Sequence, residues 1–200
     1  METLIEIQKL IFDSPKEVEH SFKKGSTEIH ELPPSAKNDP VLMAVLNHLE
    51  GLEIEKFIRI LGIGGGVFSR GFFEWNRDLR DAPLGIDDML IIADDVVGGL
   101  FGLKHDEVYY YAPDRLMWEN LGISYTSFFH WVLFGDTETF YKSFRWSCWK
   151  KDVDNVSFSQ GILLYPFLWS SEFNLETSSK KVVPLIEIVL QNLDIASQLS

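Results

Sequence analysis

The sequence contains one cysteine, Cys148, among 200 residues, so no intramolecular disulfide can form and nothing points to an oxidising compartment. Positive charge is also scarce. Against 30 Asp and Glu there are 18 Lys and Arg, for a formal net charge of -12. A chain with that field does not displace counterions from a phosphate backbone, which argues against nucleic acid as a general ligand and against anionic membrane surfaces. Long apolar runs are missing as well. Met89–Ala93 and Ile162–Tyr165 fall far short of the roughly 20 residues needed to cross a bilayer. Met1–Leu10 carries Glu2 and Glu6 and has neither the basic start nor the apolar stretch of a secretory signal, so a cytoplasmic location is expected. There is no internal repeat, heptad array or low-complexity tract.

The usual signatures of chemistry are equally sparse. None of His20, His30, His48, His105 and His130 has a second ligand at zinc spacing. The serines form no G-x-S-x-G elbow. Cys148 lies between Trp146 and Trp149 with Lys150 and Lys151 nearby, but no base is placed to activate it. Gly62–Gly66 holds four glycines in five positions after an expected strand, yet Val67–Gly71 supplies neither an immediate helix nor the Lys-Ser/Thr of a nucleotide loop, so it reads as a turn or bulge. Asp94 and Asp95, with Asp114, Glu119 and His105, form the one set that could hold a hard cation or do acid–base work. Their position before Gly98-Gly99 is equally what a tight turn prefers. The reading is therefore of no catalytic residues, no metal and no cofactor, with an enzyme built on that acidic set as the alternative.

What is present is a substantial potential core, 46% hydrophobic and 14% aromatic. A chain of this length can bury it in a single domain. Thr3–Phe12 reads as a helix, and Ser14-Pro15-Lys16-Glu17 as the capped start of a second one ending at Gly25. Leu32-Pro33-Pro34 is an extended connector, and Asp39-Pro40 opens a third helix. From Leu52 the pattern changes to a strand reaching Leu61, bent near Lys56. Val67–Pro83 looks irregular. Then come short strands at Met89–Ala93, Gly99–Leu103, Glu107–Tyr111 and Arg115–Glu119, joined by turns tight enough for an antiparallel meander. Tyr125, Phe128, Phe129 and Val132 repeat with helical spacing. Asp136 caps a further helix, Gly161–Trp169 is a late strand, and Val183–Leu199 closes the chain as a helix. The expected fold is α+β: a mostly antiparallel sheet over 52–119 plus the strand near 161–169, covered by helices.

The block Ile91–Leu103, followed by Glu107–Asp114 and Tyr125–Val132, pairs an apolar strand ending in Ala-Asp-Asp with a Gly-Gly turn, a Val-Tyr-Tyr strand and an aromatic helix. It resembles the SUKH superfamily, which includes Syd proteins and many bacterial immunity proteins. The wider chain, through Arg59–Gly62, Trp75-Asn76 and Leu164–Trp169, is similar to a bacterial family of unknown function in or near that superfamily. The resemblance implies one domain over 1–200, with a helical segment at 1–50, a SUKH-like core at 51–135 and C-terminal helices and strand at 136–200. It implies protein binding, such as neutralisation of a toxin by occlusion.

From Glu74 to Glu119 there are 11 acidic residues against 4 basic ones. An acidic face would steer a basic protein partner, and aromatic anchors would hold it. The expected surface is Phe72, Trp75, Asp78, Asp87, Asp88 and Asp95. Self-association through Tyr109–Tyr111 or the closing helix is a further reading.

Overall fold

A computed structural model describes residues 2–23, 32, 34–85 and 89–199. Gly25, His30, Pro33, Asp87 and Asp88 lie outside the described residues. In chain order the elements are α1 (Glu2–Asp13), β1 (Val18–Phe22), α2 (Pro34–Lys37), α3 (Pro40–His48), β2 (Leu49–Ile54), β3 (Ile58–Leu61), α4 (Phe72–Asp78), β4 (Leu90–Asp95), β5 (Leu100–Lys104), β6 (Glu107–Ala112), β7 (Met117–Asn120), α5 (Tyr125–Phe134), α6 (Thr137–Phe140), α7 (Trp149–Val153), β8 (Gln160–Tyr165), β9 (Ser179–Pro184) and α8 (Leu185–Leu199). Strands β1 to β7 form one antiparallel sheet in sequential order, and β8 and β9 form a separate antiparallel pair. The α+β expectation holds.

The sheet is sequential because its connections are tight where local chemistry allows. Between β2 and β3, Glu55 and Lys56 both have positive φ, 53° and 55°, so the expected bend near Lys56 is a hairpin turn separating two strands. Between β5 and β6, His105 and Asp106 do the same at 49° and 66°. Glycines 64, 65 and 66 also have positive φ, and Gly65 and Phe68 exchange backbone hydrogen bonds of 2.8 and 2.9 Å. That turn drops the Phe68 ring onto Gly51, where no Cβ stands in the way.

Three further expectations are corrected. Ser14-Pro15 does not start a helix: the Ser14 hydroxyl donates to Leu133 O, and the chain enters β1, paired with β2. Local capping chemistry loses here to the open edge of β2, which gains a strand's worth of backbone hydrogen bonds. The stretch 67–83 is not a surface loop, because Phe68, Phe72, Trp75 and Leu79 are buried and Phe72–Asp78 is helical. The late strand stops at Tyr165, before a cis Tyr165–Pro166 bond, and is matched by β9, a strand the sequence reading did not contain.

Both faces of the sheet are covered. Strands β2 to β5 are buried along almost their whole length, which makes this antiparallel sheet unlike the usual half-wet meander. Leu52, Ile60, Ala93, Phe101 and Tyr110 occupy one row of cross-strand partners. Phe101 in that row packs against Phe128 of α5, with ring centres 4.7 Å apart. The opposite face carries Glu53, Arg59 and Asp94 and is closed by α4, Phe158, the β8–β9 hairpin and α8.

Candidate functional site

Strand alternation places Glu53, Arg59 and Asp94 side by side on three neighbouring strands: Glu53 pairs with Arg59 across β2–β3, and Arg59 with Asp94 across β3–β4. All three are buried. Arg59 Nε donates to Glu53 Oε1 at 3.0 Å and Nη1 to the Gln160 carbonyl at 2.6 Å, with Asp94 Oδ1 4.0 Å away. Burial pushes the guanidinium below its ordinary pKa, and the charges of Asp94 and Glu53 oppose that push. Arg70 completes the row from outside the sheet. It makes a two-pronged ion pair with Asp94 and donates to the Phe158 carbonyl at 3.0 Å. Its guanidinium lies 4.1 Å from the Trp75 ring centre and 5.3 Å from that of Phe158. Two acids therefore face two arginines, and no net charge is buried.

Above this row opens a cleft of about 510 Å³, between α4 on one side and the 157–160 turn with the β9–α8 junction on the other. Arg70 and Trp75 form its floor, Ser69, Ser157, Ser159 and Gln160 supply hydroxyl and amide groups, and Pro184 and Ile186 supply apolar wall. Glu74 and Asp78, one helical turn apart on α4, stand at the mouth with side chains 51% and 46% exposed. Arg77 between them is within 3.9 Å of Glu74 and 3.7 Å of Asp78, but it is 64% exposed, and such surface pairs hold weakly. Arg70 Nε and Trp75 Nε1 are closed off from solvent and have no acceptor among the described residues.

The expected surface residues separate. Asp78 is exposed at the cleft mouth, as is Glu74. Phe72 and Trp75, each 2% exposed, face the sheet, because α4 turns its apolar side inward; they anchor the helix and present no outward aromatic patch. Asp95 is fully buried: Oδ1 accepts from Val97 N at 3.0 Å and Gly99 N at 2.8 Å, and Oδ2 from the Tyr110 hydroxyl at 2.8 Å. It is the turn former that Asp-before-Gly-Gly implies. Burial pushes its carboxyl up to about 6, opposed by those hydrogen bonds, and drives the Tyr110 hydroxyl well above its ordinary value.

Asp94 and Asp95 thus point to opposite faces of β4. Asp114 is half-buried after β6, its carboxyl raised by burial, and His105 is exposed at the β5–β6 turn. The acidic set does not converge, and no group of three or more His, Cys, Asp or Glu side chains among the described residues is placed to hold a metal ion. Among the described residues the central acids divide among α4, the inside of β4, the β5–β6 turn and the β7 edge. Of Tyr109–Tyr111, Tyr110 and Tyr111 are buried and Tyr109 is partly exposed. Among the described residues no helix is long and apolar enough to cross a membrane.

Glu53, Arg59 and Arg70 were missed as a unit. The signal was available: Glu53 and Arg59 alternate against Leu52, Ile54, Ile58 and Ile60, so a charged pair had to share one face of a buried hairpin. Arg70 carried no such pattern, because its place depends on the glycine turn before it.

These features define an α+β domain on a double-covered antiparallel meander, with an amphipathic cleft above a buried ion row. Residues 6–188 match the family described as "Protein of unknown function DUF2625", and the chain belongs to that family. It is similar to the uncharacterised protein YbfG of Escherichia coli (strain K12), 39% identical over 139 residues that cover 66% of this chain and 62% of that protein. It is also similar to an uncharacterised protein of Haemophilus influenzae (strain ATCC 51907 / DSM 11121 / KW20 / Rd), 37% identical over 120 residues, 56% of this chain and 53% of the relative. The chain thus spans less than two thirds of the length of these relatives. No solved structure matches it significantly.

Proposed function

We propose that the chain is a protein-binding domain that acts by occupying a basic partner and performs no reaction itself. The observation that carries this reading is the pair of exposed carboxylates, Glu74 and Asp78, at the mouth of the 510 Å³ cleft on a chain of net charge -12. Acids so placed speed encounter with a basic protein and raise its local concentration, while cleft contacts set how long it stays. The buried ion row holds α4 and the 157–160 turn to the sheet, so both walls of the cleft are positioned before binding, which lowers the ordering cost. The resemblance to the SUKH superfamily gives this a more specific form, an immunity-type protein that blocks a toxin by occlusion, acting in the cytoplasm.

The test is affinity capture from the native host with the wild-type chain and a Glu74→Lys/Asp78→Lys variant run side by side. A basic protein retained by the first and lost by the second supports the reading. Identical retention by both would contradict it.

A further inference from the structure

The turn that joins β4 to β5 carries more than the sheet. Ile162 N of β8 donates to the Val96 carbonyl at 2.7 Å. Gly161 of β8 lies against that same carbonyl and Gly98 against Ile188 of α8, both where a Cβ would collide. β8 and α8 lead into the 157–160 turn and the β9–α8 junction, the wall of the cleft opposite α4, where Leu185 N donates to Ser159 O at 3.0 Å. That wall is therefore seated on residues 96–98. One side chain shapes them: Asp95 Oδ1 holds Val97 N and Gly99 N, and Oδ2 meets the Tyr110 hydroxyl in the space a Cβ at Gly99 would fill.

This cluster has two states. As an anion Asp95 has three donors but no ion pair among the described residues. The groups that face it are Asp94, a like charge on the same strand, and the Tyr110 and Tyr141 hydroxyls. Behind the phenols stand Asp114 and Arg145, and Arg145 is engaged by Glu55 and Glu138 at 2.8 Å each. As a neutral acid Asp95 still accepts both amides through Oδ1, and a hydrogen on Oδ2 can be given to the Tyr110 oxygen. The Tyr110 hydrogen then gives up that acceptor, a smaller loss than a buried charge. Burial accordingly moves the carboxyl from 3.8 up to about 6. With the folded value above the unfolded one, the stabilisation is whole below about pH 4 and is lost as pH rises through about 6.

We infer that Asp95 is a proton-operated clasp for the β8 and α8 wall of the cleft: with its proton the 96–99 turn and the wall on it are held firmly, and loss of the proton loosens both. As regulation of the cleft this rests on the protein-binding reading, but the seating of the wall needs no partner.

The test is amide exchange by NMR on the whole chain alone, at pH 5 and pH 7.5, corrected for intrinsic rates. Opening at Ile162 is expected to become about tenfold more frequent at pH 7.5, the factor supplied by a carboxyl that titrates near 6 when closed and at 3.8 when open. Ile63, bonded to Leu49 O beyond the end of β3 remote from Asp95, is the control and is expected to hold. Asp95→Asn removes the Ile162 response. Tyr110→Phe removes a donor to the anion, so the Asp95 carboxyl carbon resonance titrates at higher pH; a merely structural contact would leave that midpoint in place. An Asp95 carbon titrating near its ordinary value, an Ile162 amide equally protected at both pH values, or an Ile63 amide that opens in step with it would each overturn the inference. If the exchange behaves as expected while charge reversal at 74 and 78 leaves partner capture intact, the clasp stands and the protein-binding reading falls; the converse results remove the clasp alone.

Discussion

Arg59 is fully buried, and its charge is tolerable only because Glu53, Asp94 and the Gln160 carbonyl surround it. Removing one member of such a group leaves an uncompensated charge in the interior, which costs about 3–5 kcal/mol. Asp94→Asn, which keeps shape but removes the charge facing both arginines, is expected to lower unfolding free energy by that amount in urea titration. A loss near zero would show that Arg70 and Arg59 find other partners. Asp95 behaves differently. Its folded carboxyl, raised to about 6 from 3.8, keeps its proton where the unfolded chain has lost it. Its contribution to stability is therefore present below about pH 4 and is lost as pH rises toward about 6. Asp95→Asn keeps one oxygen to accept from Val97 N and Gly99 N and abolishes the titration. Midpoint denaturant measured from pH 4 to pH 7 should fall by less in the variant than in the wild type across that window.

At the level of elements, the tight turns of the meander after Met89 were legible because turn chemistry is local. Lys104-His105-Asp106 reads as a tight connection, and the structure narrows it to His105 and Asp106, both with positive φ. Asn-Gly fits that turn better than His-Asp, so His105→Asn/Asp106→Gly, at an exposed site, should stabilise by about 0.5–1 kcal/mol in thermal or urea melts. No gain would mean the turn is held by its strands alone. The meander from Leu90 to Asn120 and α5, capped by Ser124, followed the sequence pattern for the same reason. Apart from the turn at Glu55 and Lys56, read as a bend in one strand, the misreadings involve tertiary contacts. Ser14-Pro15 has good capping chemistry, but the edge of β2 lies far along the chain. The burial of Phe72 and Trp75 depends on which way α4 faces, and that is set by the turn at Gly64–Gly66. Strand β9 is short and carries Lys180 and Lys181, so only pairing with β8 makes it a strand.

For the whole molecule, the decisive feature is that net charge and exposed charge differ in meaning. Two of the acids counted in the middle of the sequence act internally: Asp94 neutralises arginines and Asp95 organises a turn. What remains outward near the cleft is a local pair, Glu74 and Asp78, on α4. The α+β class could be read from sequence, since it follows from short strands and amphipathic helices. The site could not, because it joins residues 69–78, 157–160 and 184–186, which meet only when the β8–β9 hairpin and α8 fold over the second face of the sheet. Binding at such a mouth should be salt-sensitive, because exposed charges act over about 10 Å at 0.1 M ionic strength.

The most direct measurement is the association rate constant for a captured basic partner, taken for the wild type and for Glu74→Lys/Asp78→Lys at low and high ionic strength. The account predicts a rate lowered about tenfold or more in the variant at low salt, with the two proteins converging as salt rises. Equal rates at low salt would contradict it.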